Sequence, residues 1–298
     1  MPDAASHIHA IGTAVPGHDI HRAFIDWAEG QISGRKRALF RRMAERSGIE
    51  HRWSIFPPTP EGGSPVAPGG FYAEGSPPTS ARMAVYGEAA PELALAAVAA
   101  LPAFDPGTIT HLVVASCTGF VAPGIDQIIA ARLGLAGSVE RTLIGFMGCY
   151  AAVAALRTAH HIVRSEPEAR VLVVTVEISS IHLRPIVEIE PLLAMLLFGD
   201  GAAAALVGAE PRGIAIERLF SATLPDSEDL IGWSIGDTGF EMILAGEVPA
   251  RLTEALGEPA FREAVTGPEG VAGIRHWAVH AGGRTILDAV GGALALDP

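Results

Sequence analysis

The sequence predicts an internally duplicated α/β protein, and three observations support this prediction. The strand-like segments HLVVAS, RVLVVTV and AAAALVG are apolar throughout, which is typical of sheets that helices cover on both faces. Strand-like and helical patterns alternate along the chain. Residues 109–116 and 274–280 also match when the chain is shifted by 165 residues, and a helical pattern follows each.

The N-terminal third predicts one strand, two helices and a long loop. Residues 7–14 alternate weakly and run into a Pro-Gly turn, as a strand would. Residues 20–47 have a helical pattern that stops at a glycine. Residues 57–78 are rich in Pro and Gly and predict a loop, and residues 79–101 predict a helix that Pro91 can divide.

The two matched segments predict equivalent strand–helix units. Residues 109–116 form the first strand, and a helix is expected over residues 125–133. Residues 274–280 form the second strand, and a helix is expected from about Thr285.

The stretch from Arg141 to Pro185 carries the strongest chemical signal. It predicts a buried approach segment, a glycine turn, a helix of about four turns and a strand. Cys149 follows Gly148 at the expected helix N-terminus, where free N–H groups and the helix dipole favour a thiolate. The position predicts a nucleophile; the alternative is a small buried hydrophobic residue.

A histidine at the end of a buried strand is the natural partner for such a thiolate. His280 ends the predicted strand HWAVH, and Gly282 and Gly283 beside it would let a substrate arm approach the backbone closely. The alternative is a hydrogen-bonded core histidine. Asp200, in a Gly-Asp-Gly turn, is expected to hold turn backbone, and Phe198 before it faces either the core or a cavity.

Composition limits the classes of partner. The net charge of -12 argues against general binding of nucleic acid, because a broad acidic surface repels phosphates. Seven of the 21 Lys and Arg nevertheless fall within residues 35–52. This basic segment suits either a small polyanionic ligand or a solvated helix face.

The sequence is that expected of a soluble cytoplasmic protein. Its 2 cysteines, Cys117 and Cys149, give no disulfide framework. Residues 1–16 lack a signal-peptide pattern. The longest apolar run, 192–209, is interrupted by the Gly-Asp-Gly turn, so no membrane span is expected.

Four motifs together resemble one enzyme family. They are GFMGCYA around Cys149, LFGDGAAA around Phe198, DTGF at 237–240 and HAGGRTILD at 280–288. In this order they resemble type III polyketide synthases of bacterial type, the chalcone/stilbene synthase-like enzymes of the thiolase superfamily. The resemblance implies a thiolase-like duplicated α/β/α/β/α sandwich. Residues 1–210 would be the half with the nucleophilic cysteine, and residues 211–298 an incomplete half with the histidine.

The same resemblance implies an activity. A type III polyketide synthase condenses an acyl-CoA starter with malonyl-CoA by decarboxylative Claisen steps on a cysteine thioester, and then cyclises the product to a pyrone or a phenolic ring. CoA thioesters are substrates, and no metal or bound organic cofactor is needed. The family resemblance also implies a homodimer.

Site residues follow by matching positions to the family's motifs. Cys149 would be the nucleophile, and His280 would sustain its thiolate and help to stabilise the enolate. The remaining matches are Phe198 and Phe240 as gatekeeping phenylalanines, Arg42 and Arg46 as basic residues that grip CoA phosphates, and Cys117, Ala122, His182 and Ala194 as residues that shape the cavity. A third basic position falls on Leu39, for which Lys36, Arg37 or Arg41 can substitute. The small residues at 122 and 194 suggest room for a long acyl chain.

One family feature has no counterpart in this sequence. The third catalytic residue of the family, an asparagine about thirty residues beyond the histidine, would lie past Pro298. We therefore expect either a fragment of a longer protein or a degenerate homologue. Two alternatives to the polyketide synthase stay open: an initiating ketoacyl synthase that uses an acyl carrier protein, and a non-catalytic relic that serves as a binding or dimerisation partner.

Overall fold

The fold is taken from a computed structural model that describes residues 6–186 and 188–297. Residues 1–5, which belong to the segment without a signal-peptide pattern, and the last residue, Pro298, lie outside this range. Within it, no helix is both long enough and apolar enough to cross a membrane.

A mixed six-stranded sheet forms the centre of the described chain. The ten strands of the described residues are Ser6–Ala14 (β1), His18–Asp19 (β2), Trp53–Ser54 (β3), His111–Ser116 (β4), Glu140–Gly145 (β5), Val171–Ile178 (β6), Asp200–Gly208 (β7), Ile214–Ile216 (β8), Ile231–Gly236 (β9) and Gly239–Leu244 (β10). The sheet order is β5-β4-β6-β7-β1-β8. Strands β4, β5 and β6 are parallel, whereas β7 runs antiparallel to β6 and β1.

Helices cover both faces of this sheet, as the apolar strands predicted. The helices are His21–Gln31 (α1), Gly34–Ser47 (α2), Thr79–Ala99 (α3), Ile125–Leu133 (α4), Ala151–Ser165 (α5), Ile189–Leu197 (α6), Val248–Gly257 (α7), Pro259–Thr266 (α8) and Arg284–Leu294 (α9). In β4, Leu112 and Val114 pack in the cluster of α3 and α4, while Val113 and Ala115 pack in the cluster of α5. The alternation of side chains along a strand places each pair on its own face.

Most elements of the N-terminal half confirm the sequence analysis. Residues 57–78 form neither helix nor strand, and α4 has the bounds that were predicted. The helix predicted over residues 20–47 is instead two helices, because Ile32 is extended and Gly34 adopts a φ of 56°. The expectation that Pro91 could divide the next helix is wrong, since α3 is continuous with Pro91 buried inside it.

The C-terminal half departs further from the prediction. Residues 274–280 are not a strand: no described strand lies beside them to complete a ladder, and a strand exists only through such pairing. The helix expected after them is present as α9. The hairpin β9–β10 and helices α7 and α8 fill the rest of this half. Of the second strand–helix unit that the duplication predicted, the helix is therefore present and the strand is not formed.

Candidate active site

A largely apolar cavity of about 550 Å³ opens at one edge of the central sheet. Because β4, β5 and β6 are parallel, the segments that follow them meet at this edge, as ligand sites in open α/β sheets do. Hairpin β9–β10 and helices α1 and α6 close the other sides. Six residues of the predicted site line this cavity: Cys117, Cys149, His182, Ala194, Phe198 and Phe240.

Cys149 lies on a tight turn between β5 and α5. Gly148 has a φ of 64°, a conformation that favours glycine, and residues 148–150 form one 3₁₀ turn that leads directly into α5. The predicted place of Cys149 at the start of a helix is thereby confirmed. As a residue it is exposed, so the alternative of a small buried hydrophobic side chain is wrong.

The electrostatic environment of Cys149 is less favourable to a thiolate than the sequence predicted. Partial enclosure of the thiol raises its pKa, and the negative charge of Glu177 raises it further. The backbone N–H of Cys149 itself acts in the opposite direction. The thiol therefore needs a nearby cation or base to be ionised at neutral pH.

Glu177, which the sequence analysis missed, is a buried carboxyl group on the cavity wall. It accepts hydrogen bonds from the backbone N–H of Cys117 at 2.9 Å and from the Thr118 hydroxyl at 2.7 Å. Burial is the main cause that raises its pKa to about 7, against these hydrogen bonds, which lower it. The signal in the sequence was a single charged residue near the end of the otherwise apolar strand VLVVTVEI.

Cys117 is a buried neighbour of the same turn. Its thiol faces the carbonyl oxygen of Gly148 at 3.9 Å, and its carbonyl oxygen accepts from the indole N–H of Trp233 at 2.9 Å. Burial raises the pKa of this thiol, and Glu177 adds to the effect. Both cysteines are free thiols.

His182 fixes the position of Phe240. The backbone N–H of Phe240 donates to His182 Nδ1 at 3.0 Å, so the proton of the neutral ring is on Nε2, which donates to the Thr118 carbonyl oxygen at 2.6 Å. The two rings stack with centroids 4.4 Å apart. Burial lowers the pKa of His182 to about 4, which keeps the ring neutral and in this tautomer.

Helix α6 carries Ala194 to the cavity and ends at Phe198, which faces the cavity and is only half-buried. Two residues after Phe198, the carboxylate of Asp200 accepts hydrogen bonds from the backbone N–H groups of Ile55 and Ser180, each at 2.8 Å. Asp200 therefore holds backbone, but that of two distant segments and not that of its own turn as predicted.

Arg52 is a second cavity residue whose place the sequence did not reveal, although it ends the basic segment. It is 5% exposed, lies over the Phe24 ring at 4.3 Å and donates to the carbonyl oxygen of Met195 near the end of α6. Burial lowers its pKa to about 10, so the guanidinium stays charged. It contributes a positive charge to an otherwise largely apolar wall.

The remaining predicted residues do not line the cavity. His280 is exposed on an unpaired segment, and its carbonyl oxygen accepts from the N–H of Gly282 at 3.0 Å. Gly283 lies close to Leu197, the residue before Phe198, because a Cβ at Gly283 would be 3.6 Å from Leu197 Cδ1. Gly283 thus lies beside the end of α6, and His280 is not part of the cavity wall.

Ala122 and the basic residues are at the surface. Ala122 is exposed and precedes Pro123 in a cis peptide bond. Arg42 and Arg46 are exposed on α2. Two of the suggested substitutes for the third basic position are engaged elsewhere: Arg41 pairs with Glu29 at 2.5 Å, and Arg37 donates to the Ile32 carbonyl oxygen at 2.9 Å.

Comparisons with known proteins agree with this architecture. Residues 3–211 match the family of chalcone and stilbene synthases, N-terminal domain. The alpha-pyrone synthesis polyketide synthase-like Pks18 of Mycobacterium tuberculosis is 34% identical over 64% of this chain and 50% of its own length. Bisdemethoxycurcumin synthase of Oryza sativa subsp. japonica is 32% identical over 99% of this chain and 77% of its own length.

A solved structure shows the same fold. The crystal structure of 1,3,6,8-tetrahydroxynaphthalene synthase from Streptomyces coelicolor A3(2), a bacterial type III polyketide synthase, matches with a TM-score of 0.85 at 27% identity. The match covers 98% of this chain and 82% of that one. The chain spans about half the length of the mycobacterial relative, at 50%. On these matches, and with its thiol at the start of α5, the chain belongs to the chalcone and stilbene synthase family of type III polyketide synthases.

Proposed function

We propose that the chain is an acyltransferase that condenses an acyl-CoA starter with malonyl-CoA on a thioester of Cys149. The observation that carries this proposal is the accessible thiol of Cys149 at the start of α5, on the wall of a largely apolar cavity of about 550 Å³. Such a cavity has the size and character of a small-molecule site and suits an acyl chain.

The chemistry proceeds in two bond-forming steps. The Cys149 thiolate attacks the starter thioester carbonyl, and CoA leaves as a thiolate that takes up the proton that His280 removed from Cys149. Malonyl-CoA then loses carbon dioxide, its enolate carbon attacks the acyl-enzyme carbonyl, and the Cys149 thiolate is released. Repeated extension followed by cyclisation gives a pyrone or a phenolic ring. The similarity to the mycobacterial relative Pks18, whose name refers to alpha-pyrone synthesis, supports the first of these outcomes.

The remaining roles are proposed from the family resemblance and from position. His280 is the partner that ionises Cys149, and Phe198 and Phe240 separate the cavity from the CoA entrance. Cys117, His182, Ala122 and Ala194 shape the acyl site. Three of these four line the cavity, and Ala122 belongs to the exposed loop after β4.

CoA binding is proposed for the surface of α2 and the glycine turn. Arg42 and Arg46 are exposed there, where their charge can meet the CoA phosphates. Gly283 lies beside Leu197 at the end of α6, and the two glycines, Gly282 and Gly283, would leave the backbone open to a pantetheine arm.

The test is intact mass followed by peptide mapping after mixing the protein with a long-chain acyl-CoA. We expect a covalent acyl adduct on Cys149 that is absent in Cys149→Ala and present in the matched variant Cys117→Ala. An adduct that forms equally in Cys149→Ala, or none on folded protein, would contradict the proposal. Supplying malonyl-CoA or a malonyl-carrier protein to the acylated enzyme then separates a polyketide synthase from an initiating ketoacyl synthase.

A second candidate is a non-catalytic binding partner, and the position of His280 favours it. The imidazole that should ionise Cys149 is exposed and outside the cavity wall, while burial and Glu177 raise the pKa of the thiol. On this reading Cys149 reacts slowly with any thioester at neutral pH. If Cys149 is acylated no faster than free cysteine, the result would support the non-catalytic binding partner.

A homodimer through the open edge of β5 is part of the proposal. Among the described residues the strand pairs with β4 on one side only, and large apolar side chains in it and directly after it are exposed, Leu143 at 45% and Phe146 at 50%. Unpaired strand edges with apolar side chains are ready to pair with another chain. Sedimentation analysis should show a dimer, and Leu143→Lys should shift it towards monomer.

Domain division and location complete the proposal. Residues 1–210 would form the half with Cys149 and residues 211–298 the half with His280, although β8 carries the first sheet to Ile216. The two free cysteines suit the reducing cytoplasm.

A further inference from the structure

A second cluster of chemically active side chains lies at the end of the sheet away from the cavity. His111 and Glu140 are partners in register at the first positions of β4 and β5. Glu166 follows the last residue of α5 and meets them across a surface hollow. None of these three residues belongs to the candidate active site, which is at the opposite ends of the same elements.

His111 presents a nitrogen to this hollow. Its side chain is only 6% exposed, and its Nδ1 lies 2.8 Å from the hydroxyl of Thr110. When that hydroxyl donates to the carbonyl oxygen of Arg170, 3.2 Å away, its single proton is used, and the shorter contact has Nδ1–H of His111 as its donor. The lone pair is then on Nε2.

The atom that Nε2 faces is also an acceptor. Glu140 Oε2 lies 3.6 Å from Nε2, which is too long for a hydrogen bond and close to the separation of two ligands around one metal ion. One ligand atom each of His111, Glu140 and Glu166 lies within 4.8 Å of the other two. The Nε2 lone pair and the two carboxylates converge, and none of these three groups donates a hydrogen bond to another. Such a set of acceptors favours a bound cation.

The surroundings favour the same charge. The hollow lies at the C-terminal end of α5, where the helix dipole attracts cations. Arg141, the basic residue beside it, directs its guanidinium to Asp126. His161 also lines the hollow.

We propose that His111, Glu140 and Glu166 bind a divalent transition-metal ion, with Zn²⁺ as the preferred ion. One imidazole with carboxylates suits Zn²⁺, whereas Ca²⁺ and Mg²⁺ prefer oxygen ligands alone. A histidine that binds a metal through one ring nitrogen is usually oriented by a hydrogen bond from the other, and the contact of Nδ1–H with Thr110 would orient His111 in this way. The ion would join β4, β5 and the end of α5. Because α5 is about 22 Å long, the ion acts on stability and not on the thiol at the other end.

The test is calorimetric titration of the tag-free protein with ZnCl₂. We expect saturable binding of one ion, weakened at least about tenfold in the double variant Glu140→Gln/Glu166→Gln. Both residues are exposed, and the variant removes two like charges, so its thermal midpoint without metal should be equal to or above that of the wild type. Glu168→Gln, a neighbouring exposed carboxylate outside the cluster, should bind like the wild type.

Two further results decide the proposal. With 100 µM Zn²⁺ and a dissociation constant of about 10 µM, the thermal midpoint of the wild type should rise by about 3 °C, and that of the double variant should not. Equal affinity in the double variant, or no saturable binding to the wild type, would overturn the site. So would thiolate charge-transfer absorption with Co²⁺, since that would place the ion on the cysteines.

Discussion

Replacing Glu177 by glutamine tests the electrostatics of the cavity wall. In the folded protein, burial raises the pKa of this carboxyl group to about 7 from its ordinary 4.5. A group whose pKa is raised by folding stabilises the protein fully below its unfolded pKa, and this stabilisation is lost as pH rises through the folded pKa. Glu177 should therefore make the wild type progressively less stable between about pH 4.5 and pH 7.

The size of the effect follows from the two pKa values. The difference between about 7 and 4.5 corresponds to about 3 kcal/mol of unfolding free energy. His182 works in the opposite sense: its pKa is lowered to about 4 from 6.5, so its contribution is present above pH 6.5 and is lost as pH falls towards 4. This contribution is common to the wild type and Glu177→Gln and cancels when the two proteins are compared.

The assay is urea unfolding of both proteins at half-unit steps from pH 4.5 to pH 8. The unfolding free energy of Glu177→Gln, relative to the wild type, should rise by about 3 kcal/mol across this range, whatever its value at the lowest pH. Glu168→Gln, which changes an exposed carboxylate, should follow the wild type throughout. If the curves of Glu177→Gln and the wild type are parallel, Glu177 ionises as it would in water and the reasoning fails.

Three further outcomes are expected. The negative charge of Glu177 raises the pKa of the Cys149 thiol, so Glu177→Gln should speed alkylation of Cys149 by iodoacetamide at pH 7 several-fold, measured by peptide mass. Gly12→Ala should lower the unfolding free energy by about 1–3 kcal/mol or more, because its Cβ would lie 2.4 Å from a backbone oxygen of α3, whereas Gly17→Ala meets nothing within 4 Å and should be neutral; urea unfolding measures both. Asp200→Asn should cost about 2 kcal/mol or more in the same assay, because an amide group cannot accept all the hydrogen bonds that the carboxylate receives.

Local pattern was enough to predict the elements around the nucleophile. The order of a glycine turn, α5 and β6 follows from helical spacing and from apolar runs of strand length, which are properties of neighbouring residues. The same is true of α4. The segment before the turn is strand β5, but the prediction that it is buried is wrong, because β5 is exposed along most of its length. Where the relevant interactions are local, the sequence is sufficient.

The errors arise where distant partners decide. Residues 274–280 have the composition of a strand, but a strand needs a neighbour, and no described one lies beside them. The pKa of Glu177 depends on burial by residues that are distant in the sequence, so the local sequence pattern did not predict it. The separation of α1 from α2 depends on the extended conformation of Ile32, and no capping signal for the end of α1 was recognised in the sequence.

The two halves of the chain contribute to the cavity in different ways. Hairpin β9–β10 is anchored to the N-terminal half by bonds from Trp233 to the Cys117 carbonyl oxygen and from Phe240 to His182. Because His182 is neutral and buried, and the other partner is backbone, these anchors do not depend on pH above about 4. The apolar cavity therefore forms without the unpaired segment that carries His280. On the proposed mechanism, binding of an acyl chain and ionisation of the thiol are separable: a variant of His280 should leave acyl binding intact while it slows acylation of Cys149.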